Sequence, residues 1–220
     1  MVRSLIVAID GPSGAGKGTV ARAVSHTLGY RHVDTGAMYR AVGWQALHDS
    51  VPLDDEDRLA LLARSADILV EGGVVSINGN DVTREIRSPE IDKAAAAVAR
   101  LPRVREVLVA RQRQIGEQRG VVMEGRDIGT VVFPEADVKI YLDASPEERA
   151  RRRANDPAHT GGQAGQAAVA ASIEARDKSD TTRTASPLTL APDATLIDTT
   201  GLPIDQVVSR VMDLVQARLG

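Results

Sequence analysis

The 220-residue sequence predicts an α/β fold, a five-stranded parallel sheet flanked by helices with a small antiparallel β insertion, and three observations lead there. Short apolar runs alternate with helical stretches from end to end, the order that produces a parallel sheet. Two of those runs, "VVMEG" and "VKIYLD", are nearly continuous, as in strands covered by helices on both faces. Only residues 67–86 break the alternation, and there the glycine-marked turns are those of hairpins.

Taken in order, Leu5–Ile9 reads as a buried strand between Ser4 and Asp10. A glycine-rich loop follows, then a helix from about Lys17 to Leu28 that Gly29 stops. "RHVD" is a short strand, and "TGAMYRAVGWQALH" has helical periodicity. Past Pro52 and the acidic turn "LDDED", a short helix covers about 57–66. Gly72-Gly73 and Asn78-Gly79 then separate three β-rich runs, which pair as a small antiparallel sheet over 67–86. Ser88-Pro89-Glu90 opens a helix with proline in the first turn, where its missing donor costs nothing. Pro102 opens a longer one to about Arg119. After the two apolar strands, Ser145-Pro146-Glu147-Glu148 is a capping box for a helix bearing Arg149, Arg151, Arg152 and Arg153. "NDPAHTGGQAGQAA" has the composition of a flexible segment, and residues 155–170 are expected to be mobile without ligand. "ATLIDTT" is the fifth strand, and 203–219 an amphipathic closing helix. There is no internal repeat.

Composition excludes several functions. No apolar run approaches the length that spans a bilayer. The first residues lead directly into a strand, with no signal-peptide cleavage pattern. No cysteine is present for a disulfide framework or thiolate zinc site. The expectation is a cytoplasmic protein with no membrane partner. A net charge of −3 and only five aromatic residues (Tyr30, Tyr39, Trp44, Phe133 and Tyr141) argue against a nucleic-acid surface. The four histidines lack ligand spacing, and His26 and His159 read as surface or loop residues.

The chemistry is concentrated in "GPSGAGKGT", Gly11–Thr19. A strand, a glycine-rich turn and a helix starting at lysine aim backbone N–H groups and a helix dipole at one point. Polyphosphate is the natural guest: Gly11, Pro12, Ser13, Gly14, Ala15, Gly16, Gly18 and Thr19 form its cradle and Lys17 reaches its outer groups. The common motif puts Ser or Thr directly after the lysine to bind magnesium. Here Gly18 intervenes and the hydroxyl comes one residue late, at Thr19. Magnesium is then expected to bind mainly through the nucleotide phosphates and water, with no protein ligand of its own. Without a ligand the loop is expected to stand open to solvent.

Hydrolysis needs one phosphate cradle, whereas transfer to a second phosphate needs two. Arg40, one turn beyond "DTG", Arg126 in "EGRDIGT", and Arg176 and Arg183 in "RDKSDTTR" are the candidates for the second. Asp34 ends a strand, and either holds a magnesium-bound water or caps the following helix. Asp10 and Asp143 also end strands and read as structural. Asp127, next to Arg126, is equally suited to an internal ion pair.

These motifs together resemble the bacterial cytidylate kinases, which are P-loop nucleoside monophosphate kinases. "IDGPSGAGKGT", "DTGAMYRAV", "INGNDVTREIRSPEI", "PRVREVLVARQR", "EGRDIGTVVFPEADVKIYLDASPEERARRR" and "RDKSDTTRTASPL" carry the likeness, in order, over residues 9–190. The resemblance implies a P-loop kinase fold in one domain, with a core (about 1–66, 100–150 and 180–220), a monophosphate-binding insertion (about 67–99) and a lid (about 151–179). It implies ATP as donor, CMP and dCMP as acceptors, and a monomer. Arg40, Arg126 and Arg183 would grip the acceptor phosphate, with Ser13 and Thr35 nearby. Arg176 and Asp180 would contact ribose, and Arg105 and Asp127 the base. Lys17, Arg126, Arg183, Arg152 and Arg153 would stabilise the transferring phosphoryl group, with Arg149–Arg153 as a whole supplying charge from the lid side. One departure from the family pattern is Ala96, where a serine commonly contacts the base.

Overall fold

The structure is a computed structural model that describes residues 4–156 and 166–220. Its elements run β1 (Ile6–Asp10), α1 (Lys17–Leu28), β2 (Arg31–Asp34), α2 (Thr35–His48), α3 (Glu56–Ser65), β3 (Ile68–Glu71), β4 (Val74–Ile77) and β5 (Asn80–Asp81). After a 3-10 turn at Glu85–Arg87 come α4 (Pro89–Val98), α5 (Pro102–Gly116), β6 (Val121–Gly125), β7 (Val138–Asp143), α6 (Pro146–Ala154), α7 (Gln166–Thr182), β8 (Thr195–Asp198) and α8 (Ile204–Leu219).

The main sheet has the order β2-β6-β1-β7-β8, and all four pairings are parallel. Central β1 pairs Ile6 with Val121 of β6 on one side and Val7 with Val138 of β7 on the other. The chain leaves β1 toward β2 on one flank and returns by way of β7 on the other. A crevice opens where the connections diverge, above the carboxyl end of β1, and open α/β sheets bind ligands at such a point. Two apolar layers hold the sheet. Val20 and Val24 of α1 and Val207, Val211 and Val215 of α8 pack on Val7 and Ile9 on one face. Val109 of α5 and the turn residues Ile128 and Val132 pack on Ala8 and Met123 on the other.

The hairpin insertion forms as expected. Gly72, Gly73, Asn78 and Gly79 all have positive φ, which matches the twist of tight two-residue turns. Its strands end at Asp81, short of residue 86, because the Asp81 carboxylate accepts from Thr83 N at 3.0 Å and turns the chain toward α4. Ser88 caps α4 by accepting from Ile91 N at 3.3 Å. The insertion is fastened to α2: a Cβ on Gly43 would lie 3.1 Å from the Ala95 backbone nitrogen, so a larger residue would press α2 and α4 apart by a few tenths of an ångström.

Three local expectations are corrected. Helix α5 ends at Gly116 rather than near Arg119, because Arg119 and Gly120 both have positive φ in the turn into β6. The capping box of α6 is half formed: Ser145 accepts from Glu148 N at 3.2 Å, but Ser145 N donates to Thr200 Oγ1 at 2.9 Å. Glu148 instead pairs with Arg151 and Arg152. Helix α7 already begins at Gln166, within the stretch expected to be mobile, because "AAVAAS" is rich in strong helix formers. Of that stretch, residues 157–165, and with them His159, lie outside the described residues. Among the described residues no helix is long and apolar enough to cross a membrane.

Candidate active site

The loop between β1 and α1 curls over the crevice. Gly16 precedes α1 with φ 91°, a left-handed conformation that side-chain-bearing residues rarely adopt. No side chain caps α1 and its first turn holds no acid, so its N–H groups and dipole face the crevice. Gly18 now has a physical reason. A Cβ there would lie 3.1 Å from Glu124 Oε1, and a serine in its place would press on that buried carboxylate. The late hydroxyl of Thr19 lines the cleft.

The loop is not open to solvent as expected. Lys17 is only 7% exposed and its Nζ donates to Pro12 O at 2.7 Å, folding the ammonium back into its own loop. Burial, with repulsion from Arg126, pushes Lys17 down to about 7 from the ordinary lysine value. A bound polyphosphate would replace the lost solvation.

The cleft has a volume of about 640 Å3. Ser13–Thr19 form one wall; Arg40, Arg87, Arg126, Arg152, Arg153 and Arg176 line the rest. Arg152 reaches the loop side, donating to Thr199 Oγ1 at 2.9 Å and Thr199 O at 2.7 Å. Arg40 is held by Asp34 at 2.8 Å. Asp34 also caps α2, accepting from Ala37 N at 3.0 Å, so the capping alternative is realised. Burial alone would raise Asp34, but Arg40, the Ala37 N–H and Arg87 outweigh it and hold the carboxyl at about 2.

Beneath the cleft lies a second, buried tier. Arg126 Nε donates to Asp180 Oδ2 at 2.8 Å and links the two tiers. Arg105 pairs with Asp127 and lies over the Tyr39 ring, its guanidinium carbon 5.5 Å from the centroid. Arg183 donates to Ser186 O at 2.6 Å and faces Asp127 at 3.7 Å and Asp180 at 3.9 Å. The structure thus brings Arg40, Arg126, Arg152, Arg153 and Arg176 to the cleft wall, while Arg105, Asp127, Asp180 and Arg183 form the ion-pair cluster behind it. Thr35 is buried, and its hydroxyl donates to Glu124 O at 2.7 Å. Gly11 and Pro12 shape the loop from behind and are buried. Among the described residues, Arg40 Nε, Arg105 Nε, Arg176 Nε and Arg183 Nη2 are buried donors without a hydrogen-bond partner. Such unmet donors are rare in folded proteins; those of Arg40 and Arg176 belong to the cleft lining, and those of Arg105 and Arg183 to the cluster behind it.

One residue of this region is not singled out by the sequence, and another has a different role from the one expected. Glu124, buried on β6, accepts from His32 Nε2 at 3.0 Å. Its signal was a lone acid inside the apolar run "VVMEG". Arg149, grouped by sequence with the lid arginines, is instead a structural tie. It donates to Ala144 O at 3.0 Å and Ser13 O at 3.2 Å and pairs with Asp177 of α7. Asp10 and Asp143 are structural as read. Asp10 accepts from Ile128 N and Gly129 N at 2.8 and 2.7 Å, and burial raises it to about 6. Asp143 accepts from Ala144 N at 2.8 Å.

A parallel sheet with a glycine loop at its switch point and a second set of arginines across one cleft defines the P-loop kinase class. Solved structures with this fold include an uncharacterised protein from Eubacterium ventriosum (TM-score 0.54, 10% identity, 97% of this chain and 99% of that one). Another is shikimate kinase from Bacteroides thetaiotaomicron (TM-score 0.51, 11% identity, 97% and 99%). At such identities the likeness extends to the fold alone. Sequence is more specific: the family profile described as Cytidylate kinase matches residues 7–217. Cytidylate kinases from Solibacter usitatus (47% identity, 99% of this chain and 94% of the relative) and Pelotomaculum thermopropionicum (50%, 96% and 96%) align over nearly their whole length. So does that of Geobacillus kaustophilus (46%, 100% and 100%). The chain belongs to the cytidylate kinase family.

Proposed function

We propose that this protein transfers the γ-phosphoryl group of ATP to CMP, and to dCMP, giving ADP and the pyrimidine nucleoside diphosphate. One observation carries the reading: the phosphate loop and the second arginine cluster line the same cleft, so two phosphate-bearing substrates meet in it. The donor triphosphate lies on Ser13–Thr19, and the acceptor phosphate meets Arg40 and Arg126, with Arg183 behind them. Arg176 and Asp180 take the ribose; Arg105 and Asp127 take the base. The boundaries of the functional parts are those of the resemblance: core (about 1–66, 100–150, 180–220), acceptor-binding insertion (about 67–99) and lid (about 151–179). A monomer acting in the cytoplasm completes the proposal, in keeping with small nucleotide substrates.

The acceptor's phosphate oxygen is already ionised at neutral pH, so the site needs no strong general base. Its work is alignment and charge neutralisation. Lys17, Arg126, Arg152 and Arg153 spread positive charge over the transferring group, and preorganised charges of this kind lower such barriers. The site suits magnesium held through nucleotide phosphates and water, with Glu124, beside Gly18 in the cleft lining, as a carboxylate available to its water shell. When bound, the metal neutralises phosphate charge and keeps donor and acceptor in line.

Base choice follows from Asp127. A carboxylate accepts from the cytosine N4 amino group, whereas uracil presents a second acceptor at that position. A panel of acceptors (CMP, dCMP, UMP, AMP and shikimate) with ATP tests this directly. We expect CMP to lead UMP by at least about tenfold in kcat/KM. Asp127→Asn should narrow that ratio, since an amide can turn to suit either base. A preference for UMP or shikimate would overturn the proposed acceptor, and an unchanged ratio would leave Asp127 as an ion-pair residue only.

A further inference from the structure

Asp92 belongs to neither phosphate cradle, yet it occupies a place where a phosphate could. It lies in the first two turns of α4, on the insertion side of the cleft. Its Oδ2 is 2.5 Å from Arg153 Nη2 of α6, and its Oδ1 is 3.5 Å from Arg176 Nη1 of α7. Arg176 Nη1 also reaches the Asp92 carbonyl at 3.5 Å. One carboxylate therefore joins two guanidiniums from two different helices, as an oxyanion bound between them would. Arg40, Arg87 and Arg126 line the same cleft. Cations at this density repel one another, so without ligand each needs a counter-charge. Asp34 serves Arg40 and Asp180 serves Arg126.

Asp92 differs from those two in what it connects. It ties the insertion to the α6–α7 segment across the opening of the cleft, and Arg100 Nη1 to Ser179 Oγ at 3.4 Å is a second, weaker tie. Asp92, Arg153 and Arg176 also line a second cavity of about 480 Å3 between α4 and α7, so this contact forms the partition between the two spaces. Arg153 and Arg176 are 24% and 18% exposed and Asp92 16%, which leaves the pair poorly screened by water.

We infer that Asp92 is an internal substitute for substrate phosphate: it holds Arg153 and Arg176 across the cleft, and an entering nucleotide must take them from it. Asp92 thereby lowers the affinity for phosphate-bearing ligands and keeps the two sides of the cleft together until one arrives. It is a positioning residue, acting through the arginines. The inference rests on the proposed assignment of Arg153 to the transferring phosphoryl group, and it extends Arg176, assigned above to the ribose, to phosphate as well, since both line the cleft.

Asp92→Asn keeps the shape and removes the charge, and Asp92→Ser removes the reach as well. The probes are inorganic pyrophosphate, by calorimetry, and backbone hydrogen exchange of the ligand-free protein. Both variants should bind pyrophosphate about tenfold more tightly, the scale of one charge-assisted contact no longer competed for. Residues 146–154 and 166–182 should exchange faster than in the wild type when empty, and to the same extent once pyrophosphate is bound. The KM for CMP should fall in parallel. Unchanged or weaker pyrophosphate binding in both variants would overturn the inference and make Asp92 a fixed support for the two arginines. Neither probe contains a base or an acceptor reaction, so a wrong assignment of CMP would leave this result untouched, and the converse holds too.

Discussion

Lys17 shows how a single side chain can be poorly placed for the empty fold and well placed for its ligand. Folded, it lies near 7; in the unfolded chain it has the ordinary value near 10.5. The unfolded state therefore holds its proton more tightly between these values. The charge of Lys17 destabilises the fold in full below pH 7, and the penalty shrinks as pH rises and is gone above about pH 10.5. Lys17→Met should accordingly raise Tm near pH 6–7, with a gain that fades toward pH 10. The same substitution should depress kcat by about a hundredfold or more, the scale of one charge-stabilising group. Thermal melts across that range check it, and a gain independent of pH, or a loss, would contradict the burial argument. Residue identities at the loop were legible because its chemistry is local: strand, glycines and lysine are consecutive. Glu124 and Asp92 were not, because their meaning comes from partners 92 and 61 positions away, His32 and Arg153.

Among the elements, the helices around the cleft divide by how they begin. Helices α2, α3, α4 and α6 each start with a side-chain cap, from Asp34, Asp55, Ser88 and Ser145. Helix α1 starts bare, and its unmet N–H groups are what the phosphate loop offers. Caps can be read from sequence at each of these four sites, since the signal is one residue before an apolar period. Less legible was α7. Its alanine-rich start resembles a linker in composition, and its burial against α6 is a tertiary fact. The cap of α6 has a functional consequence because that helix presents Arg152 and Arg153 to the cleft. Ser145→Ala should cost about 1 kcal/mol, the usual worth of such a cap. It should also lower kcat more than it raises the KM for ATP, since it loosens the arginines and leaves the loop intact. Denaturant midpoints and steady-state rates read both; an unchanged midpoint would mean the backbone contact with Thr200 fixes the helix start alone.

For the molecule as a whole, the five-stranded parallel sheet followed from the alternation of strands and helices, whereas its order, with β1 at the centre, is seen only in the structure. The division of the site into an open cleft and a buried ion-pair tier did not follow. Arginines that a motif places together in sequence separate in space: Arg149 turns inward to tie the loop to α7, Arg152 and Arg153 face the cleft, and Arg183 lies behind Arg126. On the proposed function, donor and acceptor are held together in that cleft and the phosphoryl group passes directly between them. Initial rates measured while ATP and CMP are both varied test this most directly. We expect intersecting double-reciprocal lines, with ATP turnover in the absence of CMP at least about a hundredfold slower, on the scale lost when a positioned reactant is replaced by stray water. Parallel lines, or ATP hydrolysis that proceeds as fast without CMP as with it, would contradict the account.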